Sequence, residues 1–166
     1  MKFRKCAAAG AMALCLAAAG PLSALAGQSA GPGAAYQPSV NGVNIYVSKM
    51  GNTLTLKQYA QTIGTWPVKL GRRSETGDKV QEGDEITPSG LFYVCTRNDQ
   101  SICYLALGLS YPNAEDAERG LRDGLINEEQ YHAILEANKA GVQPPWNTPL
   151  GGAIEIHGDQ GGGTPG

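Results

Sequence analysis

Histidine and cysteine are scarce in this chain. Its 166 residues hold two histidines and four cysteines, and two of those cysteines, Cys6 and Cys15, lie near the N-terminus. His132, His157, Cys95 and Cys103 remain as candidate metal ligands, but they form no cluster at helical or turn spacing, so a zinc site is excluded. No Gly-x-Ser-x-Gly elbow joins a strand to a helix, which removes the usual setting of a serine nucleophile. The glycine-rich end, GDQGGGTPG, lacks the Gly-Lys-Ser/Thr that gives a phosphate-binding loop its charge and metal ligand, so no nucleotide cradle is read there. Basic residues are in deficit as well, thirteen against fifteen acidic ones, and nothing draws the chain toward nucleic acid.

The apolar run from Cys6 to Ala19 is too short to span a bilayer comfortably. Lys2, Arg4 and Lys5 precede it, and Ala24-Leu25-Ala26 offers a small-x-small cleavage site before Gly27. Residues 1–26 therefore read as a signal peptide, which places the protein in the periplasm or another extracytoplasmic space, with no membrane span after cleavage. Removing those three basic residues leaves ten against fifteen acidic ones, a formal charge of −5. Residues 27–42, GQSAGPGAAYQPSVNG, show neither strand nor helix periodicity and read as a flexible linker.

Regular structure begins with NIYVS and TLTLKQY, where Ile45, Val47, Leu54 and Leu56 alternate with other residues around Gly51-Asn52, predicting a β-hairpin. TWPVKLG is a third strand, placed at an edge or beginning at Pro67, which has no N–H to donate. A charge-rich loop leads to the turn Thr87-Pro88-Ser89-Gly90 and then to LFYVCTR and ICYLALGLSYPN. If Asn98 to Gln100 form the turn between these, Cys95 opposes Cys103, and a cross-strand disulfide fits an oxidising compartment. The alternative is two free thiols on the hairpin, and a slip of one residue removes the pairing.

Asn113 and Asn127 are predicted to cap two helices, the second ending near Lys139 with Gly141 beyond it. Leu121 and Leu125, then Tyr131, Ile134 and Leu135, mark their apolar stripes; His132 lies beside the second stripe as a surface residue. The last strand, Ala153 to His157, sets Ile154 and Ile156 on one face and Ala153, Glu155 and His157 on the other.

The order IYVSKMGNTLTLKQY, VKLG, TPSGLFYV, LALGLSYPN, PPWNTPLGGAIEIHG resembles the L,D-transpeptidase catalytic domain of the YkuD type, from about Asn44 to Gly158. The resemblance implies a mainly β fold, a β-sandwich with a two-helix insertion between Pro112 and Gly141. It also implies a secreted peptidoglycan-remodelling enzyme that needs no cofactor. Members of the family use a cysteine in a Ser/Thr-x-Gly-Cys setting, shortly after the Ile-His-Gly strand, to attack a stem-peptide carbonyl. The acyl group then passes as a thioester to an amine of a second stem peptide or of an anchored lipoprotein. His157 and Gly158 match the histidine motif, with His157 either shaping the site around the thiolate or acting as general base. Tyr111 and Trp146 line the substrate groove or pack in the core.

No cysteine follows His157 in this sequence. Residues 43–166 are accordingly read as an incomplete catalytic domain that lacks the nucleophilic segment and is inactive as it stands. Two other readings stay open: a non-catalytic peptidoglycan-binding relative of the same fold, and a secreted structural domain that shares only the fold.

Overall fold

The computed structural model describes residues 12–16 and 42–158. The expected signal peptide and linker lie outside the described residues, apart from Met12–Leu16 and Gly42. Met12–Leu16, inside the apolar run of the expected leader, is strand β1 and pairs antiparallel with β2, Val43–Ser48.

Among the described residues the chain is mainly β, with two antiparallel sheets and two α-helices. Strands β2, β3 (Thr53–Gln58) and β4 (Gln61–Pro67) extend the first sheet in chain order, so β4 forms its outer strand. The first hairpin pairs Ser48 with Thr53 and Ile45 with Leu56, as the alternating apolar residues demand. Pro67 ends β4 rather than starting it, and at that edge its missing N–H costs no ladder bond. The second sheet runs β5 (Val94–Ser101), β6 (Tyr104–Leu109), β7 (Glu155–His157).

One apolar cluster draws on both sheets. Ile45 and Val47 from β2 meet Leu109 from β6, with Phe92, Tyr111 and Ile154, and Leu54, Leu56, Val94, Leu107 and Ile156 pack against them. Burying such side chains contributes roughly 1.5–3 kcal/mol each. Helices α1 (Ala114–Arg122) and α2 (Glu128–Ala140) sit between β6 and β7 in sequence and form a second cluster of Ala117, Ile126, Ile134 and Leu150, with Leu121, Leu125 and Tyr131 against it. Both helices begin with reciprocal capping boxes, Asn113 with Asp116 and Asn127 with Gln130, and α2 stops at Gly141 in the left-handed conformation, φ 69°.

The β5–β6 hairpin departs from the sequence reading. The strand continues through Asn98 to Gln100, Ser101 pairs with Tyr104, and the turn is Ile102-Cys103. Thr96 faces Gly108, with irregular register between Val94 and Thr96, so Cys95 lies at the far end of the ladder from the turn that holds Cys103. The expected Cys95–Cys103 disulfide is therefore not formed.

Candidate functional site

His157 closes β7. Directly opposed residues of an antiparallel pair share a face, so the pairs Ala106–His157 and Gly108–Glu155 put Glu155 and His157 side by side on the face away from the core. Thr96 and Asn98, opposite Gly108 and Ala106, join them from β5. The other face carries Leu107 and Ile156 into the apolar cluster. The placement of Glu155 and His157 follows the expected alternation, although the strand begins at Glu155 because Ala153 adopts φ 50°.

Trp146 lies across this same outer face. A Cβ at Gly108 would stand 2.9 Å from ring carbon Cη2 of Trp146 and would also meet Thr96 Oγ1, so only glycine leaves room for the indole. The indole Nε1 and the hydroxyl of Thr148 are buried and have no hydrogen-bond partner among the described residues. Trp146 also lines a pocket of about 620 Å³ with Ala133, Ala137, Pro144 and Pro145. Tyr111, by contrast, lines no groove: it is fully buried, packs 6.0 Å from the Phe92 ring, and donates its hydroxyl to Leu150 O at 3.2 Å. Of the two roles read for Tyr111, core packing is the one its burial supports.

The His157 ring is half-buried, and its Nδ1 lies 2.7 Å from Gly158 O. A carbonyl only accepts, so Nδ1 is the donor in this contact and Nε2 lies outside it. Gly158 in turn donates its N–H to Leu105 O at 3.0 Å, which fixes the carbonyl that orients the ring. Its position is also closed by Tyr104, whose Cδ1 would be 3.3 Å from an added Cβ.

Cys95 is a poor nucleophile. Burial pushes its thiol up to about 11 against the backbone hydrogen bonds that lower it, and Sγ donates to Gly108 O at 3.4 Å. Cys103 sits half-buried at the hairpin turn. His132 is exposed on α2, with Nε2 3.7 Å from a Glu128 carboxylate oxygen, and takes no part in the face. Among the described residues no three His, Cys, Asp or Glu side chains gather to hold a metal ion.

Sequence reasoning missed Thr96 and Asn98. Their place became legible only through the β5–β6 register, since in sequence they belong to a polar run with no apolar alternation to set it. Compared with protein-family models, with curated proteins and with solved structures, the chain matches none.

Proposed function

We propose that this chain carries the histidine half of a peptidoglycan L,D-transpeptidase domain, in which the two sheets stack as a β-sandwich and the α1–α2 pair is the insertion. One observation carries the reading: the IHG sequence puts a half-buried imidazole on the sheet face opposite the apolar cluster, with Nδ1 held by Gly158 O at 2.7 Å. Trp146 and Glu155 on the same face supply an apolar wall and a carboxylate beside it.

In the proposed reaction a cysteine thiol gives its proton to His157 Nε2, and the thiolate attacks the stem-peptide carbonyl. The C–N bond to the terminal D-alanine breaks, the imidazolium returns the proton to the leaving amine, and a thioester remains. The acceptor amine then attacks the thioester, loses a proton to the site, and regenerates the thiol. The imidazolium formed in each half-reaction is stabilised by the Gly158 carbonyl dipole. No cysteine follows His157 in the sequence, and Cys95, with its thiol held protonated, is no substitute.

The test is intact mass spectrometry with a carbapenem, which traps a catalytic cysteine as a thioester, on two chains starting at Gly27. One is this sequence; the other is this sequence extended through whichever downstream reading frame supplies a Gly-Cys segment. We expect an adduct on the continued chain alone, lost on His157→Ala. An adduct on the present chain would place the reactive thiol at Cys95 or Cys103 and overturn this placement of the site. Two folded, unreactive chains would favour the non-catalytic peptidoglycan-binding reading.

A further inference from the structure

An edge strand presents a row of unpaired N–H and C=O groups, and folded chains protect such rows with proline, charge, bulges or shortness. Strand β4 has an irregular register opposite Leu56 and Lys57 and ends at Pro67. Strand β5 carries Arg97 and Asp99 and pairs irregularly with β6, and β7 is only three residues long. Strand β2 has none of these devices. Its sequence, VNIYVS, contains no proline and no charge, its register with β3 is unbroken, and Asn44, Ile45 and Val47 are buried. It is built as an interior strand.

The outer side of β2 is taken by β1. Residues Met12 to Leu16 run antiparallel to it in unbroken register, from Met12 opposite Val47 to Leu16 opposite Val43. The segment MALCL likewise contains neither proline nor charge. Strand β1 also approaches β5, which sets it at the seam between the two sheets that share one apolar cluster. Alternate N–H groups of an antiparallel strand point to opposite neighbours. One set in β2 is therefore satisfied on β3, and the other depends on β1.

We infer that the outer edge of β2 is a strand-acceptor surface and that its occupant is the segment Met12–Leu16 of this chain. The apolar run read as the centre of a leader is then also a structural strand of any chain that retains it. Cleavage after Ala26 removes that strand and leaves β2 as an undefended edge. Neither His157 nor a nucleophile belongs to this surface, so the inference is independent of the acyl-transfer reading.

The test uses the full chain, residues 1–166, and reads amide hydrogen exchange over β2 by mass spectrometry. In the unaltered chain the β2 amides should be slow on both sides. Leu14→Pro places a residue without an N–H opposite Ile45, in the middle of β1. It should speed about half of the β2 amides by about a hundredfold and leave those bonded to β3 slow. Fast exchange at half of the β2 amides in the unaltered chain would overturn the inference, because the edge is then open. An unchanged profile in Leu14→Pro would overturn it as well, because another strand then covers the edge. A cross-link checks the register independently. Asn44 stands opposite Cys15 and Tyr46 opposite Ala13, so mild oxidation should join Cys15 to the new thiol of Asn44→Cys and not to that of Tyr46→Cys, as read by peptide mapping. Equal yields in the two variants, or no bond in a folded Asn44→Cys chain, would overturn the inference, and this arm stays decisive if Leu14→Pro unfolds. Neither readout involves His157, so failure here and failure of the transpeptidase reading are distinguishable.

Discussion

The thiol of Cys95 and the carboxyl of Asp116 are both pushed up by burial, to about 11 and about 6. For Cys95 the consequence is chemical. A rise of about two units lowers the thiolate fraction at pH 8 by roughly a hundredfold, so iodoacetamide should modify Cys95 in the folded chain about a hundred times more slowly than in urea, read by peptide mass mapping. A native rate near the unfolded rate would mean that the thiol is accessible and ionised, and would reopen it as a nucleophile.

For Asp116 the consequence is stability. Burial outweighs the Asn113 N–H and the Arg119 guanidinium, which sits 2.6 Å away, and the folded value stands above the ordinary carboxylate value. A raised acid binds its proton more tightly in the folded state. Its contribution is therefore greatest below about pH 4 and declines as pH rises through about 6. Asp84 has the opposite sign: burial raises it, but Lys79 Nζ at 2.9 Å and the N–H groups of Val80, Gln81 and Ile86 outweigh that and lower it. Its contribution is present above about pH 4 and is lost as pH falls through its lowered value. From pH 7 to pH 5 the unaltered chain should gain on the order of 1 kcal/mol over Asp116→Asn in urea denaturation. Parallel profiles for the two chains across that interval would reject this account of Asp116.

Among the elements, the helix starts were legible because a cap is a local event. Asn127 accepts from Gln130 N–H at 2.9 Å and Gln130 answers onto Asn127 N–H at 3.1 Å, a pattern written in four consecutive residues. Asn127→Ala should cost about 1 kcal/mol. Asn113→Ala should cost more, because its Nδ2 also reaches Leu91 O, tying α1 to the segment before β5. Equal losses in thermal or urea denaturation would mean that this second contact contributes nothing. The register of β5 with β6 was not legible for the converse reason. Asn98, Asp99 and Gln100 are exposed turn-favouring residues, so composition pointed to a turn, whereas pairing across to Ala106 and Tyr104 carries the strand through them. That register moved Cys103 to the hairpin end and set Thr96 beside Trp146. The final strand was legible because Ile154 and Ile156 must face the core, and Glu155 and His157 follow on the other side.

At the scale of the whole molecule, the charge-rich loop between β4 and β5 gave the least warning of its role. Lys79 is 5 % exposed, bonded to Asp84 and to Gln81 O, with its ammonium 5.7 Å from the centre of the Tyr111 ring. Arg119 of α1 donates to Lys79 O at 2.8 Å, and Glu82 N–H donates to Pro149 O at 2.9 Å. These long-range contacts join the loop to the helices and to the segment leading into β7, and no local sequence pattern encodes such meetings. Further ties cross between the two apolar clusters: Tyr111 donates to Leu150 O, Tyr93 to Val142 O at 2.6 Å, and Asn138 to Pro112 O at 3.0 Å. Freeing the helices from the sheets would break all three, and those of Tyr111 and Asn138 lie at partly or fully buried groups, at a cost of about 1–3 kcal/mol for each such group left unpaired. The helical pair should therefore unfold with the sheets rather than before them. Ile134→Ala, which removes a fully buried side chain from the cluster around the helices, should cost about 2–5 kcal/mol. Its far-UV circular dichroism and tryptophan fluorescence transitions should still coincide in urea. A helical signal lost ahead of fluorescence would show that the two clusters are separate folding units, and that the Tyr93, Tyr111 and Asn138 contacts do not couple them.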